Sequence, residues 1–83
     1  MSYPIDPLKI RGVIVECNTV LQQHKFNVGE VLVGLAELIG RIIVENATTD
    51  VQAKEMIDVV GNHVVCTVQL GAEATGKSQI ARM

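Results

Sequence analysis

Two groups of residues have the types and spacing to do chemistry. Gly71, Gly76, Lys77 and Ser78, in GAEATGKS, satisfy the phosphate-loop pattern G-x-x-x-x-G-K-[ST] in full, and the β-branched run HVVCTVQL precedes them. In such a loop the backbone N–H groups cradle phosphates, the lysine reaches the β and γ oxygens and the hydroxyl meets Mg²⁺. Arg82 would add a second cation nearby. The surroundings argue against it. A working phosphate loop needs a following helix whose N-terminus faces the phosphates, a sheet around it and an acidic residue ending another strand. Only Gln79 to Met83 follow here, and no second strand is visible in the pattern. The expectation is a flexible tail over 71–83 that matches by chance. The alternative function kept open is an oligomeric binder of a phosphorylated small ligand or nucleotide through Gly76, Lys77, Ser78 and Arg82.

Cys17, His24, His63 and Cys66 are ligand types for zinc. His63 and Cys66 stand one helical turn apart, and His24 would lie at their height if the first and third helices ran parallel. Cys17 sits roughly 10 Å along the axis from His24 at ~1.5 Å per residue, too far for one tetrahedral ion. Three ligands without a fourth give no metal site, so neither metal nor cofactor is expected. No histidine, cysteine or serine has an acid partner at a spacing that enforces proximity, and no pair of carboxylates stands out. The chain does not read as an enzyme.

Charge and composition narrow the partners. The 83 residues carry a net charge of −2, with one Tyr, one Phe and no Trp. Lys and Arg are scattered, so there is no counterion-release term for a phosphate backbone and no aromatic platform for bases. Nucleic acid is not an expected partner. Apolar runs fall far short of the ~20 residues of a membrane span, and the start MSYPIDPLKIRG lacks the pattern of a signal peptide. A cytoplasmic chain with reduced thiols is expected.

Three helices must position whatever these residues do. Asp6 fits an N-cap, Pro7 the first helical position, and Ile5 with Ile10 a hydrophobic staple. From Pro7 to Lys25, Ile10, Val13, Ile14, Cys17, Val20, Leu21 and His24 share a stripe of roughly 120°, the width of a helix packed on one side. Asn27 and Glu30 approximate a capping box for a second helix to Asn46, leaving a link of about two residues and an antiparallel neighbour. That second helix is apolar over nearly its whole circumference. Glu30, Glu37, Arg41 and Glu45 form its one wet stripe with Gly34. Gly34 and Gly40 read as sites of close helix approach, with a hinge or a pocket floor as the alternative. Thr49 as N-cap and Gln52 at N3 open a third helix over 50–70. It has one stripe through Ala53, Met56, Ile57, Val60 and Val64, and a second through Val59, His63, Cys66 and Leu70. Residues 63–70 are dense in β-branched side chains, which leaves a strand as their alternative.

VLQQHKFNVGEVLVGLAELIGRII, residues 20–43, resembles the corresponding segment of the YejL family of small bacterial proteins, through Val20, Leu21, His24, Lys25, Leu32, Leu35 and Ile43. The resemblance implies a compact helical dimer and assigns no function. It does not extend to the cysteines or to GAEATGKS.

The fold expected is all-α: three helices over about 7–25, 28–46 and 50–70 in an up-down-up hairpin arrangement, one domain over 1–70 and a flexible tail over 71–83. An apolar circumference too wide for one partner implies an intertwined or face-packed oligomer, a dimer or higher even number. Its interface is expected at Leu32, Leu35, Ile39, Ile43, Val59 and Leu70. The function expected is that of a non-catalytic interaction protein, an adaptor or inhibitor of another protein.

Overall fold

The computed structural model of the chain describes residues 4–77. The described residues form three α-helices, α1 (Pro7–Gln23), α2 (Val28–Asn46) and α3 (Asp50–Thr75). Residues 63–70 are helical, so the strand alternative falls. The apolar period of the preceding turns outweighs the β-branched preference of HVVCTVQL.

Each helix starts where its cap chemistry lies. The Asp6 carboxylate accepts the Leu8 N–H at 2.9 Å, and Pro7 follows in the first turn, where a missing N–H costs nothing. Asn27 and Glu30 close a reciprocal box: the Glu30 N–H donates to Asn27 Oδ1 at 2.8 Å, and the Asn27 N–H donates to Glu30 Oε1 at 2.9 Å. Thr49 Oγ1 accepts the Gln52 N–H at 3.1 Å, while Gln52 Oε1 reaches past it to the Thr48 N–H at 2.8 Å. These bonds satisfy N–H groups that a helix start would otherwise leave orphaned.

The first helix stops two residues short of the expected Lys25. His24 caps it in extended geometry, φ −115° and ψ 154°, and its ring stacks on Phe26 with centroids 5.2 Å apart. The link to α2 is therefore four residues, not two.

The third helix runs past its expected end. Ala72, Glu73 and Ala74 are strong helix formers and carry the hydrogen bonding through Gly71 to Thr75. The first five residues of the expected tail thus belong to α3. Termination comes at Gly76, which takes φ 75°, the αL conformation that only glycine adopts without a Cβ penalty. The Gly76 N–H donates to the Glu73 carbonyl at 3.3 Å and the Lys77 N–H to the Ala72 carbonyl at 2.7 Å, the pair of bonds of a Schellman stop.

The chain falls into two compact units that divide inside α2, between Ile42 and Ile43. The first unit holds α1 and most of α2. The second holds the last turn of α2, the turn after it and α3.

Cover within the chain follows one line on α2, where the less exposed residues step by four through Val31, Leu35, Ile39 and Ile43 and on to Ala47 just past its end. On α3 the less exposed residues fall into two groups, Gln52, Ala53, Met56 and Val60 in its first half and Val68, Gln69 and Ala72 near its end, with Val64 exposed between them. Residues four apart share one helix face. Ile43, 9% exposed, and Ala72, 4% exposed, are the two buried residues among those described.

Gly34 and Gly40 do not mark close approach within the chain. A Cβ built on either meets no atom within 4 Å, leaving aside its chain neighbours and the nearby backbone of its own helix.

Candidate interaction surface

The described part of GAEATGKS is the end of a helix. The N–H groups of a phosphate loop must point free at the ligand, whereas here Gly71 to Thr75 are helical and Thr75 Oγ1 donates to the Gly71 carbonyl at 2.8 Å. A helix C-terminus presents carbonyl oxygens and the negative end of the dipole, the reverse of an anion site. The second glycine of the pattern is accounted for by the cap it forms. Lys77 follows that cap, and Ser78 and Arg82 lie outside the described residues.

Cys17 and Cys66 are free thiols on exposed helix positions. Among the described residues no three His, Cys, Asp or Glu side chains gather where they could hold a metal ion. His24 leaves the helical face that would have carried it and turns to Phe26.

What the structure does assemble is apolar surface. Twenty large hydrophobic side chains are exposed among the described residues, against one, Ile43, that is buried. The stripe of α1 is the barest: Val13 and Ile14 are 63% and 61% exposed, and only Leu21 is partly covered. A one-sided stripe was expected to be packed, and within this chain it is not. The second stripe of α3 is bare too, with Val59 at 63% and Leu70 at 68%. Val59, Val60, His63, Val64, Thr67 and Val68 line a shallow open depression along that helix.

The six residues expected at an oligomer interface therefore divide. Leu32, Val59 and Leu70 are exposed and available. Leu35, Ile39 and Ile43 lie on the α2 line that the chain itself covers. Pattern analysis could not separate them, because α2 is apolar nearly all round and nothing local marks which side its own chain takes. Val13 and Ile14, on a stripe with the width of an ordinary packed helix, are exposed as well.

On one side of α2, Glu30, Glu37, Arg41 and Glu45 share a face with Val33 and Val44, all exposed, at the 100° step of a helix. Three carboxylates against one guanidinium leave the surface net acidic, with apolar shoulders.

No helix among the described residues is long and apolar enough to cross a membrane. A scan of family models, a search of curated proteins and a search of solved structures each found no match to this chain.

Proposed function

We propose that this chain is a non-catalytic interaction protein, a homo-oligomer of two or a higher even number of copies that docks on a protein partner as an adaptor or inhibitor. The observation that carries the reading is the inversion of its large apolar side chains, twenty exposed for one buried among the described residues. Monomers scatter single hydrophobics over their surface, but contiguous stripes along whole helices signal a binding face. A chain of this size is marginal alone, and self-association supplies the missing core. The resemblance of residues 20–43 to the YejL family supports the same reading.

Once apolar stripes are used in self-association, the acidic face of α2 is left for a partner. Glu30, Glu37 and Glu45 suit a basic surface, and Val33 and Val44 supply apolar anchors beside them.

Sedimentation equilibrium from 1 to 100 μM tests the first step. The expected mass is an even multiple of the 9.0 kDa chain. A helical species of 9.0 kDa throughout that range would overturn the reading.

A further inference from the structure

The self-association reading does not say which faces meet, and four observations bear on that choice. The α1 stripe and the second α3 stripe are both uncovered on their own chain. They have the same length: Ile10 to Leu21 and Val59 to Leu70 each advance eleven residues, about 16.5 Å of helix. Each carries one cysteine in the same place, Cys17 and Cys66, seven residues after the first member and four before the last. The charges also differ in sign. In α1 Lys9 and Arg11 stand against Glu16, a net +1, while in α3 Asp50, Glu55, Asp58 and Glu73 stand against Lys54, a net −3.

We propose that the occupant of these faces is a second copy of this chain, the α1 stripe of each copy seating on the Val59–Leu70 stripe of the other. The proposal rests on the self-association reading and sharpens it. Pairing α3 with its own copy would oppose two acidic helices, and pairing α1 with its own copy would leave the α3 stripe bare. Reciprocal pairing covers both and closes with two copies about a two-fold axis, leaving no free end to propagate. In parallel register Ile10 stands level with Val59. Lys9 then lies level with Asp58, and Cys17 level with Cys66 of the other copy.

The cysteines report the pairing. The full-length chain at 10 μM is treated with diamide, which takes up the two thiol hydrogens as each disulfide forms, and masses are read under denaturing and native conditions. The wild type is expected to give a covalent dimer linked Cys17 to Cys66 across copies. Cys17→Ser and Cys66→Ser are each expected to lose at least nine-tenths of that product while remaining dimeric in native spectra and fully helical by circular dichroism. The two variants refolded together should recover a singly linked dimer. A single-cysteine variant that cross-links as well as wild type would overturn the pairing in favour of like faces. An intrachain Cys17–Cys66 link, or a native dimer that fails to link, would overturn it too, with self-association intact. A monomer at every concentration would remove both the pairing and the reading beneath it.

Discussion

α1 is apolar along one stripe and α2 nearly all round, and the chain treats them differently. The α2 line from Val31 to Ala47 is partly covered and includes the buried Ile43, whereas α1 keeps no buried residue at all. Both begin with strong local signals, an Asp6–Pro7 start in one and a reciprocal Asn27–Glu30 box in the other. The comparison separates two kinds of information. Caps decide where a helix begins, and they do so whether or not anything covers it. Burial decides whether it persists, because short helices are marginal in water without tertiary contacts. α1 has the first kind from its own sequence; in the reading proposed above, another copy supplies the second.

That contrast can be broken most severely at α1. Replacing both Val13 and Ile14 by Asp puts two charges into the proposed contact, repeated by symmetry in the other copy. Each buried apolar side chain lost is worth roughly 1.5–3 kcal/mol before the cost of the charge. Dimer dissociation measured by sedimentation should shift by at least 100-fold. A single Ile14→Asp change should give the same sign with a smaller shift.

At Ile43, on the covered side of the comparison, the expected effect is on folding rather than on assembly alone. Ile43→Ala should destabilise by about 2–3 kcal/mol in urea unfolding at fixed protein concentration, towards the lower end for a core isoleucine since the site keeps some exposure. The Leu32→Ala change, at an exposed position of the same helix, should cost well under half of that in the isolated chain. Equal losses at the two positions would mean that the covered line is not where the chain holds itself together.

How much of this was legible in the sequence differs by level for physical reasons. Helix starts at Asp6, Asn27 and Thr49 were readable because a cap is a contact between residues two or three apart. The end of α3 was not, because Gly71 resembled a stop while the helix formers after it carried the hydrogen bonds on to Gly76. GAEATGKS illustrates the limit further. Its letters fit a phosphate loop, but function in that motif depends on whether the N–H groups are free, and backbone direction is not written in a pattern of residue types. The apolar surplus was legible, but its division was not: Leu35, Ile39 and Ile43 differ from Leu32 only by which side of α2 the chain covers.

Two smaller effects sharpen the account of the helix ends and of α2. Gly76→Ala forces a Cβ into φ 75° and should cost about 1 kcal/mol, read as a lowered melting temperature. Gly34→Ala goes the other way. With no atom within 4 Å of the added Cβ and a place beside the acidic face of α2, alanine should raise stability by about 0.5–1 kcal/mol through helix propensity. A loss at Gly34 would show that a second copy approaches α2 there, which would redirect the interface. Smallest of all is the effect of nucleotide. ATP with Mg²⁺ at 1 mM should leave the melting temperature unmoved, in wild type and in Lys77→Ala alike, whereas occupancy at 100 times Kd would add ~2.7 kcal/mol.

The most direct test of the central claim, that this chain completes its core with another copy, is thermal unfolding by far-ultraviolet circular dichroism at 1, 10 and 100 μM. If folding and association are one step, each tenfold rise in concentration should raise the midpoint by about 4 °C, given ~0.7 kcal/mol of unfolding enthalpy per residue in a dimer. A cooperative transition whose midpoint is the same at all three concentrations, from a species sedimenting at 9.0 kDa, would contradict it.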